Sequence, residues 1–205
     1  MHEEVIVSGF GGQGALFAGQ LLTYTGMDEG LQVSWIPSYG PEMRGGTANV
    51  TVCISEQPIG SPLITNPRAL VVMNQPSLEK FAPMVKPGGV IVINTSLVNR
   101  GSERDDCTEV RVAARDVAAE AGTIRAANFV MLGAYVGATG VVPAEAIEAE
   151  IAEEFSGLDL ARSVAKQTGS EIILLDPLGD EDTPGRRTYS GLMNYNFTVI
   201  ESSAE

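Results

Sequence analysis

The first residues with chemical potential form a turn. Gly9-Phe10-Gly11-Gly12-Gln13-Gly14 follows the spacing G-x-G-x-x-G. Glycines at that spacing let the backbone turn tightly and approach a phosphate, while the N–H groups opening a following helix point toward it. The same residues also suit a tight turn that does no more than pack a helix on a sheet, and the motif alone does not separate the two. Dinucleotide binding would need a carboxylate at the end of the second strand to hold a ribose. That strand closes Ser34-Trp35-Ile36-Pro37 without one, and Asp28 and Glu29 precede it. Gly9, Gly11, Gly12, Gln13 and Gly14 are therefore the candidate cofactor-binding residues. Their ligand would be phosphate-bearing, such as coenzyme A or thiamine diphosphate, and shared with a partner chain.

A second group follows the next strand: Ser38, Tyr39, Gly40, Pro41, Glu42, Met43, Arg44, Gly45 and Gly46. It combines a phenol, a carboxylate and a guanidinium on a loop stiffened by Pro41. Arg44 could grip a carboxylate or phosphate through a forked pair of hydrogen bonds, or pair with Glu42 to hold the loop's shape. If its strand lies beside the first, the loop stands at the carboxyl edge of the sheet, where open α/β sheets meet ligands and partners. Met73-Asn74-Gln75-Pro76-Ser77 and Asn94-Thr95-Ser96 would line the same edge, or serve as caps and turns.

Other chemistries find little material. The one histidine is His2, in a terminus expected to fray, which leaves no histidine for acid–base or nucleophilic work. The two cysteines, Cys53 and Cys107, form no C-x-x-C, so neither a zinc site nor an iron–sulfur cluster can be built from this chain alone. We assign no catalytic residue and no metal ligand. The net charge of −13 repels phosphate backbones, which argues against nucleic acid. The charge is uneven: residues 1–100 hold 5 basic and 7 acidic side chains, residues 101–205 hold 8 and 19. The acidic half reads as a solvated face or as a surface for a basic partner. No apolar run is long enough to span a membrane, and the first residues lack a secretion signal, so a cytoplasmic location is expected.

The elements that must position these residues alternate. Val5 to Ser8 reads as a buried strand, Gln13 to Asp28 as a helix, and Leu31 to Ile36 as a strand. Pro37 to Gly46 reads as irregular. Thr47 to Ile54, Leu70 to Met73, Val90 to Ile93 and Glu109 to Val112 read as further strands. Helices are expected from Pro76 to Phe81 and from Ala113 to Ala121. Asn128 to Thr139 is apolar nearly all round, so that helix is expected to be buried, in the core or against a second copy of the chain. A helix with Ala144, Ile147 and Ile151 on its apolar stripe follows, then a helix at 158–167 and a strand at 172–175. The pattern predicts one α/β domain over residues 1–175: a Rossmann-like, doubly wound, mostly parallel sheet with flanking helices. Residues 176–205 form a polar C-terminal tail.

GFGGQG, SYGPEMRGGTANV, IGSP, MNQPSLEKF, VKPGG and ANFVMLGAY, in that order, resemble the gamma subunits of 2-oxoacid:ferredoxin oxidoreductases, with the strongest likeness to the 2-oxoglutarate branch. The resemblance runs through about residues 4–140. It implies a share in the oxidative decarboxylation of a 2-oxoacid to an acyl-coenzyme A with reduction of ferredoxin. It also implies that thiamine diphosphate, magnesium and iron–sulfur clusters sit in alpha, beta and ferredoxin-like companion subunits, with coenzyme A at a shared site. The loop from Ser38 to Gly46 is then the part facing the rest of the enzyme. The remaining alternatives are a small subunit for indolepyruvate or branched-chain 2-oxoacids, a stand-alone nucleotide-binding enzyme, and an assembly module without a ligand.

Overall fold

The computed structural model describes residues 1–39 and 47–151. Six strands form one sheet: β1 (His2–Phe10), β2 (Gln32–Tyr39), β3 (Thr47–Ser55), β4 (Ala69–Val72), β5 (Val90–Asn94) and β6 (Thr108–Val112), in the order β2-β3-β1-β4-β5-β6. β1, β4, β5 and β6 run parallel, while β3 runs antiparallel to both β1 and β2. The central strands read as unbroken apolar runs because helices cover both faces. All four residues of β4 are buried, as are Val5 to Ser8 of β1.

The helices divide between the faces. α1 (Ala15–Asp28) buries Ala15, Ala18, Leu21 and Leu22 with Val5, Val7, Val50 and Val52. α3 (Ala114–Glu120) contributes Ala114 to the same layer, and α4 (Ala127–Thr139) contributes Met131, Leu132, Tyr135 and Val136. α2 (Gln75–Phe81) covers the opposite face, where Leu78 and Phe81 meet Ile6, Leu70, Val72, Ile91 and Ile93. The Asn74 side chain caps α2 by accepting from Ser77 N–H at 2.9 Å, and Pro76 sits in its first turn. The doubly wound reading holds.

Three details of β1 and β2 differ from the sequence reading. β2 does not lie beside β1: β3 stands between them, because the β2–β3 hairpin folds back along the edge of the parallel set. Pro37 is not in irregular chain but in β2, opposite Val50. An edge strand bonds its neighbour on one side only, so it tolerates a residue without an N–H. His2 does not fray; it pairs with Ser55 at the start of β1. α4 is buried on one face, with Gly133 and Gly137 exposed. The next helix begins at 144 and runs through 151, with Ile147 buried and Ala144 exposed. The helix at 158–167, the strand at 172–175, the domain limit at 175 and the tail fall outside the described residues.

α1 approaches β3 at backbone distance. A Cβ placed on Gly19 would lie 2.4 Å from Val50 Cγ1, and Val50 is fully buried and stiff at χ1. Alanine would gain up to about 1 kcal/mol of helix propensity, but overpacking a rigid core costs roughly 1–3 kcal/mol. Gly19→Ala is therefore expected to be net destabilising, lowering the urea midpoint, whereas Gly133→Ala, where a Cβ meets nothing within 4 Å, should raise it.

Candidate functional site

The turn between β1 and α1 is closed by its own glutamine. Gln13 N–H donates to Phe10 O at 3.1 Å, and Gln13 Oε1 accepts from Phe10 N–H at 2.6 Å and from Asn74 Nδ2 at 3.3 Å. Gln13 Nε2 reaches Met73 O at 3.4 Å. One amide thus ties the first turn to the end of β4. Gly9 must lack a side chain, because a Cβ there would stand 2.7 Å from Gln13 Oε1 and 3.1 Å from Met73 Cβ. Gly12 and Gly14 take φ of 91° and 76°, the left-handed region that glycine enters freely. Below the turn, Ser8 Oγ donates to Ser77 Oγ at 2.8 Å, joining β1 to α2.

This turn sits where the fold divides. β1 feeds α1 on one face and β4 feeds α2 on the other, so a crevice opens between their carboxyl ends. Beside it lies a cleft of about 180 Å³, reached by Gly12, Gln13, Asn94, Arg115, Arg125 and Asn128. Arg115 is in the first turn of α3, and Arg125 is in the 3-10 turn Ile124–Ala126 that leads into α4. Both arginines are exposed, and neither makes an ion pair among the described residues. Asn128, only 6% exposed, packs its amide against the Cα of Gly14.

The structure brings together some of the residues singled out from the sequence. Gly9, Gly11, Gly12, Gln13 and Gly14 stand at the crevice. Ser38 and Tyr39 end β2, and Gly40, Pro41, Glu42, Met43, Arg44, Gly45 and Gly46 lie outside the described residues. The loop's two ends are fixed by register: Tyr39 pairs with Ala48, which pairs with Gly9. Two strand spacings, roughly 10 Å, separate the loop's origin from the glycine turn on one edge. Arg115, Arg125 and Asn128 were missed, since only the packing of α3 and α4 brings them to Gly12. A signal existed. Arginines at helix starts oppose the macrodipole, where acidic residues are the stabilising choice.

At the opposite edge the described residues form no activated nucleophile. His2 Nε2 lies 3.4 Å from Glu4 Oε1 and 3.8 Å from Cys53 Sγ. Burial first, then the Glu4 and Glu3 carboxylates, push the Cys53 thiol above its usual range, the reverse of an activated nucleophile. The dinucleotide reading loses ground as well. The strand next to β1 on that side is antiparallel β3, which enters at this edge rather than ending there.

The family profile described as "Pyruvate ferredoxin/flavodoxin oxidoreductase" matches residues 4–167. The chain is 42% identical over 157 residues to ketoisovalerate oxidoreductase subunit VorA of Methanothermobacter marburgensis, covering 76% of this chain but 32% of that longer protein. It is 33% identical over 182 residues to 2-oxoglutarate synthase subunit KorC of the same organism, covering 85% of this chain and 98% of that one. Among solved structures, the gamma subunit of a keto/oxoacid ferredoxin oxidoreductase from Geobacter sulfurreducens PCA superposes with a TM-score of 0.63 at 32% identity, covering 73% and 84% of the two chains.

The contact between Gly14 and Asn128 yields a test of the site's construction. A Cβ on Gly14 would meet Asn128 Nδ2 at 2.7 Å while holding a φ of 76°. A non-glycine residue in strained backbone costs about 1–3 kcal/mol, before the clash. Gly14→Ala should destabilise the chain by more than that strain alone. Adding Asn128→Ala should recover the steric part, about 1 kcal/mol of coupling in a double-mutant cycle read by urea denaturation.

Proposed function

The chain belongs to the pyruvate ferredoxin/flavodoxin oxidoreductase family, and on that premise we propose that it is the gamma-type subunit of a 2-oxoacid:ferredoxin oxidoreductase. One observation carries this reading: the chain matches 98% of a separate subunit, KorC, but only 32% of the longer VorA. The chain spans about a third of the length of the VorA relatives it matches.

The residues present do not fit the redox and thiamine groups of such an enzyme. The whole sequence has two cysteines and one histidine, and the described residues hold no cluster of three or more His, Cys, Asp or Glu side chains that could take a metal. Those groups fall to alpha, beta and ferredoxin-like companions. This chain's part is to present the carboxyl edge to them. The arginine-bearing loop departs from that edge, and the glycine turn offers backbone N–H groups a short distance away. Coenzyme A, the acceptor in the reaction the resemblance implies, is the phosphate-bearing ligand that would reach this shared edge. Companion subunits select the 2-oxoacid; 2-oxoglutarate is the first to assay, because the likeness to KorC covers 85% of this chain and 98% of that one, and ketoisovalerate the second.

Two measurements test the reading. A tagged chain expressed with its companions should co-purify with a thiamine-dependent subunit, and Arg44→Ala should lower turnover of the reconstituted complex at least tenfold. That tenfold is about 1.4 kcal/mol at the transition state, and the melting temperature of the free chain should stay unchanged. Turnover of a 2-oxoacid by the isolated chain, or persistent failure to associate, would sink the assignment.

A further inference from the structure

The sheet ends on two edge strands, and they are guarded differently. β6 carries Glu109 and Arg111, whose side chains pair at 2.9 Å, and charge along an edge deters a second chain from pairing there. β2 carries no charged residue from Gln32 to Tyr39, in a chain of net charge −13. Backbone register says which groups β2 leaves open. Glu56 N–H donates to Met1 O, so the alternate β3 residues Ile54, Val52 and Val50 turn their backbone groups to β1. Cys53, Thr51 and Asn49 then bond their β2 partners Ser34, Ile36 and Ser38. The backbone groups of Val33, Trp35 and Pro37 are left pointing away from the sheet, and no described residue meets them. Val33 and Trp35 share the α1 face with their β3 partners Ile54 and Val52. Trp35 is 37% exposed there, and Met27, next to the Gly26 that faces Val33, is 55% exposed. On the other face Ser34 Oγ is buried without a hydrogen-bond partner.

We propose that β2 pairs antiparallel with β2 of a second copy of this chain, the two-fold axis passing through Ser34. A contact that one patch makes with itself must be free of like charge, and β2 meets that condition. Pro37 sets the register. Placed opposite a strand residue, its ring would press on that residue's carbonyl. Centring on Ser34 sets Pro37 against Leu31, which precedes the strand and whose N–H is already given to Gly26 O at 2.9 Å. The same register sets Val33 of each copy against Trp35 of the other, so the open N–H and carbonyl groups of both residues are met. The side chains agree. α1 lies mainly over β3, so the two α1 helices stand three strand spacings apart, roughly 14 Å. Helices in direct contact stand about 8–10 Å apart; the excess is a groove that Trp35 and Met27 of both copies fill. On the far face the two Ser34 side chains are direct cross-strand neighbours, and a χ1 turn lets one hydroxyl donate to the other. Asp28 and Glu29 lie beyond the paired stretch. The proposal goes beyond the subunit assignment and stands without it, because it concerns the free chain.

The experiment is sedimentation velocity of the full chain over a range of concentrations. A monomer–dimer equilibrium is expected, tightening as salt screens the like net charges of the two copies. Trp35→Glu sets like charges side by side near the axis, and Val33→Pro removes an open N–H but no bond to β3. Each should weaken dimerisation at least tenfold. Val117→Ser, which removes an exposed apolar side chain of α3, should change it less than twofold. A second measurement reads the register. In a Cys53→Ala background, which removes the thiol opposite position 34, Ser34→Cys should give a covalent dimer under added copper phenanthroline, and Ser38→Cys should not. A chain that stays monomeric up to its solubility limit overturns the proposal. So does a dimer that Trp35→Glu and Val33→Pro leave intact, or cross-linking that is equal at the two positions. Trp35 is the one tryptophan, so its fluorescence reports on this edge. Quencher protection that appears only when companion subunits are added would give the edge to a companion's strand, and the proposal would fail. Circular dichroism of each variant separates misfolding from lost association. Co-purification with thiamine-dependent subunits is a separate readout, so the subunit assignment and the dimer can each fail alone.

Discussion

The side-chain amide of Gln13 holds the carboxyl edge together. It accepts from Phe10 and Asn74 and donates to the Met73 carbonyl, so the chain leaving β1 and the chain leaving β4 share one group. A typical hydrogen bond nets only about 0.5–1.5 kcal/mol, and three of them converge on this one half-buried amide. Its consequences run outward. Gly9 is excluded from bearing a side chain, Asn74 is oriented to cap α2, and the turn is held open on the side of Gly12. The same brace belongs to the turn that suggested ligand binding in the sequence, and the cleft opens beside it.

The sheet supplies two unlike halves around that brace. The parallel half, β1, β4, β5 and β6, places four carboxyl ends in a row and lets helices approach from both faces. The antiparallel half, β2 and β3, adds no crossover helix. It extends the edge and holds the ends of the arginine-bearing loop in register with Gly9. What this edge presents, among the described residues, is amide, guanidinium and backbone N–H. Groups of that kind recognise and orient anions.

Local patterns carried most of the architecture. β4 and β5 were legible because strands buried on both faces read as short apolar runs. α1 was legible from Leu16, Phe17, Leu21 and Leu22 at helical spacing, with left-handed Gly30 just past its end. The misreadings of β2 and Pro37 share one cause, which is that strand order is a long-range property. Nothing within Leu31 to Ile36 says that β3 will separate that strand from β1, and Pro37 looks like a breaker until its place on an edge is known. The cleft was illegible for the same reason. Gly12, Arg115 and Asn128 are distant in sequence and meet only after α3 and α4 dock on the sheet.

An anion site in a chain of net charge −13 is not a contradiction. At physiological ionic strength the Debye length is about 8 Å, so solvated carboxylates beyond it contribute little at the cleft. Within that range the lining offers two guanidiniums and the Asn128 amide, with the Asp116 carboxylate adjacent to Arg115. Net charge governs how the whole molecule is approached from a distance; the local donor set governs what is held on arrival. Screening thus lets a distant acidic surface and a local cluster of donors coexist in one small domain.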